Sequence, residues 1–440
     1  MKNEILTNYI YSESLDMLDI ITIKLLKEAL ADIIACTIAG RNTKAAKIAK
    51  DFAQSQWGTG KSSLFLFPEN LTPVGAAFVN STMANELDLD DGHRLTKGHP
   101  GAVIFPAIFA AAEEYNVSGK NFLTALLVGY EVGIRAGILA HKLRPEYHCT
   151  GSWGSIGAAA GVSRIIGLSK DKLDHALGIA EYFGTYSPMM RCIEFPSMLK
   201  DGINWGCMTG ISASYLAKGG YTGIPSLFSM EEAVELTKDL GTYYRIRELY
   251  YKPHACCRWA QPAIEGIKVI KAECSLSAAN IKKIIICTFT ESARLSKKYP
   301  KTTEEAQYNL FFPAAAYLVY DEVGPKEVLD QLDDPLILKI MEKIEVIIDS
   351  EFNEEFPKKA LSRVKIITND GSVYQSPVMQ AKGDYDFPLT AEEKKEKFFW
   401  LTTPHIGERV AYRLFDLIHN VESLKSIREL TEVLASTKEE

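Results

Sequence analysis

The sequence predicts a mainly helical protein with an α+β part: a large all-helical domain plus a smaller α+β domain. Three observations predict it. Apolar residues recur at helical spacing through residues 1–245, and no strand of convincing length is read before residue 240. Runs of β-branched residues are confined to about 246–385. After Pro388-Leu389-Thr390 the chain turns helical again to its end. The expected domains are therefore 1–245, completed by helices in 390–440, and 246–389. A length of 440 residues, at roughly 100–200 residues per domain, suits two or three such units.

The elements follow in order. From Ile21 to Ile38, Leu25, Leu26, Ala29, Ile33 and Cys36 mark one helical face, with Gly40 as a stop. Ala76–Leu87 and the Ala-rich Pro106–Tyr115 read as helices. Leu123–Ala140 is apolar almost all round, which predicts a buried helix. Between Gly151 and Ile166, Gly154, Gly157, Ala158 and Gly161 fall at helical spacing, so that backbone can approach its neighbours closely. Leu173–Phe183 and Trp205–Leu216 continue the pattern. Ile281–Thr290 and Lys343–Ile348 read as strands, separated by helices around Pro262–Ala272 and Ala314–Tyr320. Arg363–Thr368 and Ser372–Ser376 flank Asn369-Asp370-Gly371, a strong hairpin signal. Thr390 with Glu393 forms a capping-box pattern. The tail 437–440 is expected to fray.

Composition narrows the function. Hydrophobic residues make up 47% and charged residues 24%, a globular balance. Mean hydropathy is −0.05, and no apolar run nears 20 residues, so no membrane span is expected. The net charge is −7 with no Lys/Arg-rich block, which argues against nucleic-acid binding. An anionic substrate would need a local basic pocket against that mean field. Eight irregularly spaced Cys with no C-x-x-C, and an N-terminus without an apolar leader, fit a cytoplasmic protein with reduced thiols.

Two motifs are decoys. Gly58-Thr59-Gly60-Lys61-Ser62 resembles a phosphate loop, but Ser55 stands where that motif needs glycine, and Ile48–Phe52 reads helical. Gly151-x-x-Gly154-x-x-Gly157 is not G-x-G-x-x-G and opens no βαβ unit.

The chemistry-bearing segments are few. Asp88-Leu89-Asp90-Asp91-Gly92-His93, followed by His99-Pro100-Gly101, puts three acids and two histidines beside an apolar helix. Such charges are costly to bury unless paired. A solvated capping loop would accommodate them. So would an active site in which an Asp fixes the tautomer of a His and raises its basicity. A divalent metal site built from Asp88, Asp90, Asp91 and His93 is a third reading, although the D-D-x-x-D spacing on one helical face is absent. Tyr147-His148-Cys149-Thr150 precedes the Gly/Ala-rich helix. Lys200-Asp201-Gly202 precedes another. Lys252-Pro253-His254-Ala255-Cys256-Cys257-Arg258 opens the α+β part, and Arg258 could grip a carboxylate bidentately.

Taken in order along the chain, these segments, with Gly157-Ala158-Ala159-Ala160 and Gly383…Pro388-Leu389-Thr390, resemble the MmgE/PrpD family from about residue 20 to 430. Known members include 2-methylcitrate dehydratase, cis-aconitate decarboxylase and iminodisuccinate epimerase. The resemblance implies a helical domain with an α+β lid, a homodimer, no metal or organic cofactor, and a small polycarboxylate substrate. By position, Asp88 and Asp91 match the family's acidic pair, His99 and His148 its two active-site histidines, and Lys200 and Lys252 its carboxylate-binding lysines. Four positions depart from the pattern: Gly92 where the decarboxylases carry Thr, Cys257 where they carry His, Gln261 for a common His, and Phe312 where many members carry an active-site Tyr.

The function expected is a cofactor-independent lyase: a dehydratase of a small hydroxylated di- or tricarboxylic acid, similar to 2-methylcitrate dehydratase. Epimerisation or decarboxylation of a related acid is the alternative on the same scaffold, and a metal-dependent helical phosphohydrolase the alternative of another class. Asp88, Asp91, His99 and His148 are the expected catalytic residues. Lys200, Lys252 and Arg258 are expected to converge on the substrate across a cleft between the two domains, with Lys97, His93 and Cys257 as further contacts.

Overall fold

The computed structural model describes residues 4–274 and 276–435; the expected frayed tail, 437–440, lies outside them. Helices carry most of the first 245 residues, and local signals set their ends. Ile20–Ala39 starts where the Asp19 carboxylate accepts the Thr22 N–H, and it stops at Gly40. Pro73–Asn85 begins on Thr72 with proline in its first turn. Gly119–Leu143 is long and apolar enough to cross a membrane, yet it is packed inside the protein. Its buried Glu131 and Arg135 form an ion pair one turn apart, and Asp239 takes a second Arg135 nitrogen at 2.7 Å.

The Gly/Ala stripe does what its spacing predicts. Gly151–Ile165 lies against Gly119–Leu143 so closely that a Cβ on Gly157 would stand 2.6 Å from the Gly129 carbonyl oxygen and from the Gly133 Cα. Glycine is required there by backbone approach, not by φ.

After residue 245 a mixed sheet forms. Ile281–Thr288 runs parallel to Ile344–Ile348 and antiparallel to Leu361–Thr368, which pairs in turn with Val373–Gln375 and Met379–Gln380. The hairpin turns at Asp370-Gly371, where Gly371 has φ +89° and the Asp370 carboxylate accepts the Ser372 N–H. Ile284 and Ile286, with Val364 and Ile366, point to the covered face beneath Gln261–Glu273. Alternation with period two makes that face readable.

Ala391–Ile406 then returns to the helical part. The Thr390/Glu393 capping box forms as expected. Buried Lys397 reaches across to Asp32 at 2.6 Å and to the Leu89 carbonyl at 2.7 Å. This ties the last third of the chain to the helix Ile20–Ala39 and to the acidic segment.

Among the described residues no strand before residue 240 is longer than five residues, but the expected all-helical part does contain short strands. Thr59–Ser63 pairs with Asn70–Leu71, and Gly92–His93 pairs with Leu249–Tyr250. These strands have two to five residues, too short to show alternation. The phosphate-loop decoy lies in the first of these ribbons, where Thr59, Gly60 and Lys61 are exposed. The second ribbon stitches the acidic segment to the start of the α+β part.

Candidate active site

The site grows from the end of helix Pro73–Asn85. Asp88 turns the chain with φ +54°, a left-handed conformation that non-glycine residues adopt at some cost. That turn sends Asp88 and Asp90 inward, together with His99 at the mouth of the helix Pro100–Glu114. His99 Nδ1 lies 3.2 Å from Asp90 Oδ2, close but not aligned as a well-formed hydrogen bond, and its Nε2 lies 3.7 Å from Asp88 Oδ1. The Asn85 amide holds the other Asp90 oxygen at 2.9 Å. Lys252, arriving from the α+β side, donates to Asp88 at 2.6 Å.

Burial of so many charges is tolerable because they alternate in sign. Desolvation pushes the Asp90 carboxyl up, but His99, Lys252 and Asn85 outweigh it and hold the group at about 2. Asp88 also ends below the ordinary range: burial is overcome by Lys252, Lys200 and His99. For His99, burial and the Lys252 charge oppose protonation, yet the Asp90 and Asp88 carboxylates prevail and raise it. The result is an imidazole of increased basicity whose Nδ1 faces Asp90. Asp201 sets its backbone: it accepts the Thr150 N–H at 2.9 Å and the Thr150 hydroxyl, and Thr150 Oγ1 accepts the His99 N–H at 3.1 Å.

A cleft of 540 Å³ opens beside this cluster, lined from both sides of residue 245. Asp88, His93, Lys97, His99, Cys257 and Arg258 all reach it. His93 is neutral-favoured: burial lowers it against the pull of Glu248, whose carboxylate sits 3.1 Å from Nε2. Arg258 is already committed, donating through Nε and Nη2 to Asp384 at 2.7 and 2.5 Å. Lys97 is not. It holds a left-handed φ of +54°, its ammonium lies 5.8 Å from the Tyr147 ring centre, and its side chain makes no ion pair or hydrogen bond among the described residues. Burial lowers it, with Glu291 opposing. Lys97 is thus the uncommitted cation in the cleft. Lys97→Ala should raise KM for a polyanionic substrate about tenfold or more at low salt. Because screening weakens the lost attraction, that ratio should shrink in KM measurements at high ionic strength.

Other expected residues lie elsewhere. Asp91 does not face the cleft. Its oxygens accept the Gly101 N–H and the Tyr130 hydroxyl, both at 2.9 Å, and a Cβ at Gly101 would collide with it. Desolvation, with Asp32 and Asp90 nearby, raises it to about 7. Asp90, not Asp91, is the carboxylate against His99. His148 is fully buried away from the cleft. Its ring stacks on His141 at 3.9 Å, and Nδ1 is 2.6 Å from Ser152 Oγ. Burial and neighbouring His141 lower it to about 4. Lys200, also left-handed at φ +47°, donates to Gln307 at 2.5 Å and lines a neighbouring cavity of 1230 Å³. So Lys200 and Lys252 both act on Asp88, and neither ammonium is free.

Sequence reading passed over Tyr308. It lines the cleft with its ring 5.2 Å from the Lys200 ammonium, and burial keeps its phenol protonated. Its place beside Gln307, one turn before Phe312, was the available signal. For metals, the ligand atoms of Asp88, Asp90 and His99 lie within 4.8 Å of one another. The quartet Asp88, Asp90, Asp91 and His93 does not assemble, because Asp91 caps a helix and His93 pairs with Glu248.

The MmgE/PrpD N-terminal domain matches residues 4–235, and the MmgE/PrpD C-terminal domain matches residues 254–422. The chain belongs to the MmgE/PrpD family. Its relatives include the "cis-aconitate decarboxylase-like protein oryM" of Aspergillus oryzae, 28% identical over 93% of this chain and 91% of that protein. The cis-aconitate decarboxylase of Aspergillus terreus is 23% identical over 93% and 90%. The human cis-aconitate decarboxylase is 23% identical over 93% and 89%.

Of the four departures from the MmgE/PrpD pattern, only Cys257 lines the cleft. Gln261 is buried, donating to the carbonyls of His254 and Cys256. Phe312 is buried in the core. Gly92 has no room for a side chain: its Cβ would stand 2.1 Å from the Tyr250 ring.

Proposed function

We propose that this MmgE/PrpD protein is a cofactor-independent lyase that moves a proton α to a carboxylate of a small hydroxylated di- or tricarboxylic acid, acting as a dehydratase. The observation that carries this is His99, made more basic by Asp90 and Asp88 and facing a cleft with the uncommitted Lys97. Neutral His99 takes the α-proton, and the electron pair passes into the carboxylate as an enediolate that nearby cations stabilise. The imidazolium then gives its proton to the departing β-hydroxyl, so water leaves and a double bond remains. A homodimer working in the cytoplasm belongs to the same reading.

Decarboxylation is the second reading, favoured by the names of the relatives. There His99 starts protonated. CO₂ departs, and the imidazolium protonates the carbanion left behind. The two readings make opposite pH predictions. A dehydratase needs neutral His99, so kcat rises with pH through its raised pKa. A decarboxylase needs the imidazolium, so kcat falls through the same value. Incubation with citrate-, methylcitrate-, aconitate- and tartrate-like acids in D₂O, followed by NMR across pH, reads proton exchange, water loss and carbon loss separately. No exchange with any of these acids, nor with citrates bearing longer alkyl groups, would overturn both readings. Loss of activity on chelation would favour the Asp88/Asp90/His99 metal alternative.

A further inference from the structure

Beyond the carboxylate chemistry, we infer that the substrate carries an apolar chain longer than a methyl group, seated on the apolar residues that line the cleft beside its charges. This deepens the function proposed above and rests on it.

The cleft has two unlike linings. Asp88, Arg94, Lys97, Arg258, Glu291 and Arg294 are charged, and His99 is titratable. Met189, Met190 and Ile193, on the short helix Met189–Glu194, and Trp259, Phe356 and Pro357, from the α+β side, are apolar. An aromatic path joins the two. Tyr147 lies under the Lys97 ammonium, Trp259 packs on Tyr147 with ring centres 6.1 Å apart, and Phe356 meets Trp259 edge-on at 5.8 Å. A chain attached next to a carboxylate held by Lys97 would therefore run along Tyr147 and Trp259 toward Phe356.

Room continues beyond. Met189, Ile193 and Arg294 line both this cleft and the 1230 Å³ cavity beside it, where Phe195, Leu199 and Trp205 are exposed. A polyacid bearing only carboxylates and hydroxyls gains nothing from thioether and aromatic walls. Apolar lining at a cleft is characteristic of ligands that cover it. A methylene moved from water onto such a wall strengthens binding by about fourfold.

The test uses the full-length protein and a homologous series: a citrate-type acid unsubstituted, then bearing methyl, propyl and pentyl groups on the carbon beside the reacting one. kcat/KM should rise by up to about fourfold per methylene before levelling where the wall ends. A flat or falling series, with the unsubstituted acid still turned over, overturns this inference and leaves the lyase reading standing. If no member of the series exchanges a proton or binds, the lyase reading fails and takes this one with it. Met190→Glu, at a half-buried position, should cut the gain per methylene below twofold. An unchanged gain in a variant with wild-type Tm would remove this wall as the seat of the chain.

Discussion

His99→Gln should lower kcat by at least about 10²-fold, with a far smaller effect on folding. Glutamine can still hydrogen-bond Asp90, but it cannot carry a proton between carbon and oxygen. Asp90, held at about 2 with His99 as its leading compensating charge, should then titrate higher. The companion variant, Asp90→Asn, separates basicity from mere presence. Removing that carboxylate takes away the largest contribution that raises His99, so the His99-dependent limb of the pH–kcat profile should move to lower pH. Both results are read from kcat over a pH series, with Tm as a control. Wild-type turnover in His99→Gln would remove this residue from the mechanism, and an unmoved limb in Asp90→Asn would detach the two groups.

Lys252→Met should destabilise the protein by about 3–5 kcal/mol, measured by urea unfolding. Its side chain is 2% exposed, as is that of Asp88, whose carboxylate lies 2.6 Å from the ammonium. Breaking one side of such a pair leaves a charge in a medium that cannot solvate it. The double variant Asp88→Asn/Lys252→Met removes both charges and should recover much of the loss, a coupling that a double-mutant cycle reads directly. Activity should not return with stability, because Asp88 also faces His99. A single variant within about 1 kcal/mol of the wild type would mean that Lys200 and His99 suffice to neutralise Asp88.

The sequence made the fold legible wherever period and punctuation agreed. The hairpin at Asn369-Asp370-Gly371, the Thr390/Glu393 box and the glycine stripe of Gly151–Ile165 are local codes with local causes. The ribbon Gly92–His93 with Leu249–Tyr250 is a long-range pairing of two residues each, with no local signature. The site shows the same boundary. Residue type singled out the acidic run and His99, but three near-consecutive carboxylates look alike in one dimension. The left-handed turn at Asp88 decides their directions, sending Asp90 to His99 and leaving Asp91 to cap a helix. Likewise His148 reads as a second proton carrier until its ring is found stacked on His141. Lysines can be recognised as cations in a sequence, but whether each is already paired cannot. That is why Lys97 emerges over Lys200 and Lys252.

The bond from Lys397 to the Leu89 carbonyl joins residues 308 positions apart. At roughly 5–20 residues per second on the ribosome, the acidic loop emerges about 15–60 s before the lysine that anchors it. Through that interval Asp32 has no Lys397 to neutralise it, and the helix Ile20–Ala39 has nothing to cover the face on which Ala391–Ile406 will lie. Until Lys397 emerges, that face of the nascent chain stays uncovered. Synonymous codons that slow translation between these points lengthen that exposure and should lower soluble yield, although they change no residue of the finished protein.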